Sequence, residues 1–229
     1  MLQECAPMKN TIQHPKGYTI AILLALGQFA CGSSTSEGMA LSSSLCAETF
    51  SPCGGDPTGT WNVVGVCLDG DLAAAYNADN YSKHPECSSQ TKEVRVGASG
   101  SATYTSGADA IVSHQATRVQ EVKDSYSSDC AAAAFSVTTL DAGACAQIQQ
   151  TLQAADSQKK VSCSMSAGNC DCTSTTTQEV KAQNMFEISG STITESDDRT
   201  YSICIRDNKM TQGEVKSGSV NIVTSFQKK

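Results

Sequence analysis

From residue 58 to the C-terminus, apolar side chains recur at every second position in short runs separated by Gly, Ser, Asn and Asp. A period of two places one set of side chains on each face of an extended strand. The pattern predicts strands over 58–68 (TGTWNVVGVCL), over 91–106 as two short strands around GASGS, and over 108–123. It predicts further strands in KKVSCSM (159–165) and CDCTSTTTQEV (170–180), on either side of SAGN. Residues 184–196 read as a hairpin about Ser189-Gly190-Ser191. Over 199–212, Tyr201, Ile203 and Ile205 share one face while Ser202, Cys204 and Arg206 share the other. Residues 219–227 repeat this with Val220, Ile222 and Phe226.

One stretch changes period. In 140–156, Cys145, Ile148, Leu152 and Ala155 fall at helical spacing, with Asp141 placed to cap the first turn. Residues 71–76 and 129–135 are alanine-rich and long enough for a helical turn each. No fixed-period repeat is present. Many evenly spaced short strands with one or two short helices predict an all-β sandwich or closed antiparallel barrel.

Composition changes this picture in one respect, the cysteines. The chain has 229 residues, of which 39% are hydrophobic and only 5% aromatic. Its 12 cysteines are too many for an ordinary cytosolic protein unless they bind metal. The paired C-x2-C knuckles of structural zinc are absent, and His14, His84 and His114 are isolated. Disulfides in an oxidising compartment are the expectation for Cys46, Cys53, Cys67, Cys87, Cys130, Cys145, Cys163, Cys170, Cys172 and Cys204. The preferred pairing within them joins Cys145 to the Cys163/Cys170/Cys172 group. A formal charge of −7 argues against nucleic acid as a partner, since that requires a basic patch.

The N-terminus has the layout of a secretory signal: Lys9 and Lys16, then the apolar run Tyr18–Leu26, then Ala30 before Cys31. The run is shorter than the roughly 20 residues that span a bilayer. Met8 is an alternative start to Met1. The segment resembles a bacterial lipoprotein signal, which implies that Cys31 becomes the lipidated first residue of the mature chain. Gln28 stands where such signals usually carry Leu, Val or Ile, and ordinary secretion is the alternative. Setting aside Cys5 and Cys31 leaves ten cysteines, an even number. The Ser/Gly-rich stretch 32–52 reads as a flexible tether between lipid and domain.

Two parts of the domain carry a further resemblance. Gly59-Thr60-Trp61 opens the first strand as the Gly-x-Trp signature opens lipocalins, and FEISGSTITESDDRTYSICIRDNKMT (186–211) is similar to the terminal strands of lipocalin-like domains. FSPCGGDPTGTWNVVGVC also resembles openings in cysteine-rich lipoproteins of predatory soil bacteria. The resemblance implies a lipocalin-like barrel over 53–229, with Trp61 closing one end under a stacked arginine, one of Arg95, Arg118 or Arg206. It also implies a small hydrophobic ligand inside.

Candidate chemistry is sparse. Asp69, Asp71, Asn77, Asp79 and Asn80 cluster oxygens as a calcium loop does, but their spacing fits a turn followed by a helix capped at Asp71. Cys163, Cys170 and Cys172 offer a soft-metal set, for which disulfides are the simpler reading. His114 lies in a predicted strand with no Gly-x-Ser-x-Gly elbow to serve and reads as structural. The expectation is a non-enzymatic lipoprotein of the cell envelope, anchored at Cys31 in the outer membrane, whose barrel binds or carries a small hydrophobic ligand; the alternative is a structural or protein-interaction module with a filled barrel. No cofactor, metal or catalytic residue is assigned.

Overall fold

The computed structural model of the protein describes residues 41–214 and 221–229. Cys5, Cys31, the signal segment and residues 32–40 lie outside the described residues.

Nine strands and three α-helices follow in the order β1 (Gly59–Asp69), α1 (Leu72–Asn80), β2 (Thr91–Thr105), β3 (Ile111–Tyr126), α2 (Ser128–Phe135), α3 (Ala142–Ala155), β4 (Lys159–Ser166), β5 (Asn169–Ser189), β6 (Thr192–Glu195), β7 (Thr200–Arg206), β8 (Lys209–Glu214) and β9 (Asn221–Lys228). The sheet runs β3-β2-β1-β9-β8-β7-β6-β5-β4, and β3 also pairs with β5. That extra pairing closes eight strands into a barrel, with β4 added outside the ring on β5. Every strand pairing is antiparallel. The fold is therefore an all-β, disulfide-rich antiparallel barrel with few helices, as the alternation predicts. Closure removes the exposed strand edges that an open sheet would leave.

The strand lengths depart from the sequence reading at two places. GASGS is no turn: β2 runs unbroken through it. Gly100 takes φ +111° because the backbone of β3 presses on it, and a Cβ there would stand 2.1 Å from the Gln115 carbonyl oxygen. A close approach, and not a reversal, is what demands glycine at this position. Likewise β5 is one strand of 21 residues where the pattern suggests two. Its first half pairs with β4 and β3, and its last four residues pair with β6.

Along its outer face the barrel shows Asn62, Ser101, Thr103, Ser113, Gln115 and Glu121, a wall suited to water. Among the described residues no helix is long and apolar enough to cross a membrane.

Among the described residues five disulfides staple the fold: Cys46–Cys67, Cys53–Cys204, Cys87–Cys130, Cys145–Cys170 and Cys163–Cys172. The first two bind the segment before β1 to the barrel wall. Strands β1 and β2 pair over only four positions, Gly59–Asn62 against Ser101–Tyr104, and then diverge. Into that gap fits the segment 42–46. Ser42 exchanges both backbone hydrogen bonds with Val96, while Cys46 N donates to Leu68 O and Leu68 N to Ser44 O. Phe50 then lies against Gly213, whose missing side chain makes room for the ring. The latter part of the stretch expected as a tether is thus bonded to the sheet from Ser42 onward.

Helix α3 covers the free edge of β4. The Gln149 side-chain oxygen accepts from Cys163 N, the Gln153 oxygen accepts from Val161 N, and the Gln153 amide donates to Lys159 O. Two glutamines one turn apart thereby satisfy an edge that would otherwise be open. Asp141 and Asp71 cap α3 and α1 as the sequence predicts, accepting from Ala144 N and Ala74 N. The oxygen-rich segment 69–80 is accordingly a cap and a helix.

Candidate functional site

The inward positions of the barrel form layers, and their chemistry changes from one end to the other. At the end where Trp61 enters, the floor is apolar and closed. Trp61, Tyr104, Val112, Phe186, Ile193, Ile203, Met210 and Phe226 are all buried and in mutual contact. Tyr104 and Phe186 meet edge to face with centroids 5.3 Å apart. The Trp61 indole N–H donates to Pro57 O, so its polar edge is satisfied within the domain. The cation over its ring is Lys228, with Nζ 5.3 Å from the centroid, and not the arginine that the lipocalin resemblance implied.

One layer further in, polar groups converge. Glu195 ends β6 in the inward phase set by Ile193, and its side chain is fully buried. His114 on β3 donates from Nε2 to Glu195 Oε1 at 2.8 Å. Asn184 on β5 and Arg199, just before β7, donate to Oε2 at 2.8 and 3.0 Å. Arg199 also pairs with Asp197 at 2.7 Å, and Asn184 reaches the same Asp197 oxygen. Burial alone would raise the Asp197 carboxyl, but the hydrogen bonds and charge of Arg199 more than offset it and hold the group below its ordinary value. The same pairing raises Arg199 despite burial that would lower it. Every oxygen of the Glu195 carboxylate therefore has a donor, which a buried charge requires.

Two groups in this region have no such partner. The hydroxyls of Tyr104 and Tyr201 are buried without a hydrogen bond, although Gln212 stands beside Tyr104. Burial, then the nearby Glu195 charge, pushes Tyr201 up to about 12. Above them the strand register turns small side chains inward: Ala98, Gly100 and Ala102 of β2, Ala116 of β3 and Ala182 of β5. Arg118 follows on the same face, close enough to Tyr201 for its charge to act on the phenol.

No family model, curated protein or solved structure matches this chain. Its site is therefore built from its own geometry alone.

Helix α1 roofs the far end of this face. The Tyr76 hydroxyl accepts from Gln120 at 2.9 Å, and the Asn77 side chain bonds both backbone groups of Thr91, at 2.7 and 2.9 Å. Behind it lies Asp124, half-buried, accepting from Thr91 Oγ1 at 2.7 Å and from the Tyr126 hydroxyl at 3.5 Å. Desolvation raises the Asp124 carboxyl, and it also raises Tyr81 and Tyr126. Two open grooves flank α1 on the outside. One, about 650 Å³, runs between Asn77, Tyr81, Ser88 and Thr91; the other, about 520 Å³, lies between the 42–49 segment, Leu68 and Val94. Both are wall features and neither opens from the apolar floor.

Beyond α1 is a second core, where α2 and α3 pack over β3, β4 and β5. Tyr126, Ala131, Cys145, Ile148, Cys170 and Cys172 are buried there. Cys163 and Cys172 stand directly opposite in the β4–β5 register.

Of the residues singled out from sequence, Gly59 and Trp61 open β1 as expected, and Trp61 belongs to the packed floor. His114 is committed to Glu195. Sequence reading missed Glu195, Arg199, Asp197, Asn184, Tyr104 and Tyr201. One indication of Glu195 was available: the alternation through Ile193 puts a charge at an inward position, which is costly unless it is paired. Arg199, four residues on, is a local partner; nothing local marks His114 or Asn184, which lie on β3 and β5.

Proposed function

We propose that this chain is an envelope lipoprotein, held to the membrane by lipid on Cys31, whose barrel binds a small, mainly apolar ligand carrying one hydrogen-bonding group. The observation that carries the reading is the pair of buried, unpartnered hydroxyls of Tyr104 and Tyr201, set between an apolar floor and a layer of alanines and glycine. A buried hydroxyl without a partner costs about 1–3 kcal/mol, so a ligand group that supplies the missing bond gains that much differential affinity. Small inward side chains are what an eight-stranded barrel needs if it is to hold one small molecule. Five disulfides support an extracytoplasmic, oxidising location. His114, with its ring engaged by Glu195, supports a binding role over an enzymatic one.

A second reading, a non-enzymatic structural or interaction module, is favoured by the floor itself, which is filled by the protein's own side chains. Trp61 separates the two, because it is the only tryptophan and sits in that floor. Titrating the delipidated chain with fatty acids, retinoids and haem should shift its emission or raise the melting temperature. A flat response across the panel removes the ligand reading in favour of the module. The anchor is tested separately: Cys31→Ala should move the protein from the membrane to the soluble fraction.

A further inference from the structure

Three cysteines of the second core, Cys163, Cys170 and Cys172, converge, and a fourth, Cys145, is bonded to one of them. Cys145 is bonded to Cys170, and Cys163 to Cys172. The sulfurs of Cys163, Cys170 and Cys172 all lie within 4.8 Å of one another, and those of Cys170 and Cys172 are 3.8 Å apart although they belong to different bridges. A tetrahedral ion with metal–sulfur bonds near 2.3 Å sets its ligand sulfurs about 3.8 Å apart. The Cys170–Cys172 spacing is thus already that of two thiolates in such a shell, with Cys163 within 4.8 Å of both. Reduction would let the bonded sulfurs within each bridge separate to the same distance by rotation about the side chain alone.

We infer that the reduced chain holds one zinc-class ion in a site made by Cys145, Cys163, Cys170 and Cys172, and that forming the two disulfides expels it. The scaffold that aims these side chains does not depend on the bridges. Cys163, Cys170 and Cys172 are fixed by the β4–β5 ladder. Helix α3, which brings Cys145, is held to β4 by Gln149 and Gln153 and packs through Ile148 and Leu152. Thiolates select soft ions such as Zn²⁺ or Cu⁺ over Ca²⁺ and Mg²⁺. The chain is synthesised with thiols, so no reductant is needed to reach the metal-binding state. Four thiols binding Zn²⁺ release four protons and give a tetrathiolate of net charge −2. Two equivalents of a disulfide oxidant then take four electrons from it, leaving two protein disulfides, free Zn²⁺ and four oxidant-derived thiolates.

The test uses the full chain, reduced with a trialkylphosphine under native conditions and then given zinc alone. Bound zinc is counted after gel filtration, and cobalt in place of zinc reports the ligand set through its thiolate charge-transfer and tetrahedral visible bands. One ion per chain is expected, with a four-thiolate cobalt spectrum. Cys163→Ser with Cys172→Ser should weaken binding at least tenfold, while Cys46→Ser with Cys67→Ser should leave it unchanged. Re-oxidation with a disulfide oxidant should release the ion as the thiols disappear. A reduced wild-type chain that takes up no stoichiometric zinc overturns the inference. So does equal binding by the Cys163/Cys172 variant, or a cobalt spectrum without thiolate ligation.

Discussion

His114 and Glu195 are separated by 81 residues in sequence and by 2.8 Å in space, inside a barrel that their strands, β3 and β6, do not jointly close. The bond passes over β5, which pairs with both strands. Glu195 also takes Arg199 and Asn184, so three segments of the ring depend on one carboxylate. Glu195→Ala leaves His114 unpartnered, and Asn184 and Arg199 with Asp197 alone. It should lower unfolding free energy by about 3 kcal/mol, toward the lower end for breaking a buried pair. Glu195→Gln keeps one acceptor and the shape and should lose clearly less. Urea unfolding measures both, and a loss below about 1 kcal/mol for the alanine variant would show that the network contributes little.

That network explains where the sequence stops being informative. Alternation is a local property, so it marks Ile193, Tyr201, Ile203 and Phe226 as inward-facing and supports a barrel. Asp71 and Asp141 are likewise legible, because a cap acts on a backbone N–H three residues away. GASGS looked like a turn because glycine marks a turn and a close strand crossing equally well; only the neighbouring β3 backbone decides between them. The Asp207-Asn208 reversal between β7 and β8, both residues at positive φ, lies within the run 199–212, whose alternation reads as one strand. The meeting of Glu195 with His114 and Asn184, and the unpaired tyrosine hydroxyls, are set by ring closure, which no short window of sequence contains.

The bridges should differ in what they contribute. Cys53–Cys204 spans 151 residues and ties the segment before β1 to β7, whereas Cys163–Cys172 spans 9 within one hairpin. On the chain-entropy account the loss is about 5 kcal/mol for the long loop and about 2.6 kcal/mol for the short one. Paired serine substitutions, compared by thermal unfolding under oxidising conditions, should show the larger drop for Cys53/Cys204. The reverse order would mean that native-state packing around the hairpin outweighs loop entropy.

Two half-buried carboxyls should give opposite pH dependences. Asp197 is held below its ordinary value, so the stability it adds is present above the unfolded carboxyl range, near 3.9, and is lost as pH falls through its lower folded value. Asp197→Asn should flatten the acid side of the stability profile. Asp124 is raised by burial, so it costs nothing below about 3.9, and its penalty grows as pH rises toward the folded value and stays constant above it. Asp124→Asn should therefore gain on wild type as pH rises from 3 to 7. Denaturant unfolding at several pH values tests both signs, and a common slope for the two variants contradicts the assignment.

Tyr104 and Tyr201 supply the sharpest division between a structural and a binding role for the barrel centre. In a group selected for stability alone, a buried hydroxyl with no partner is a defect, because its lost hydration, about 1–3 kcal/mol, is returned by nothing in the fold. Replacing either by phenylalanine removes that defect while keeping the ring, including the edge-to-face contact of Tyr104 with Phe186. Tyr104→Phe and Tyr201→Phe should thus fold with stability equal to wild type or higher by about 1 kcal/mol. If the hydroxyls are there for a ligand, the same substitutions should diminish the Trp61 emission shift and the melting-temperature rise produced by a bound molecule, with the double variant losing most of both. A variant that loses more than about 1 kcal/mol instead would reveal that the hydroxyl is satisfied in solution, by water or by Gln212. The barrel centre would then be a closed polar core, and the grooves flanking α1 would become the place to look for a partner.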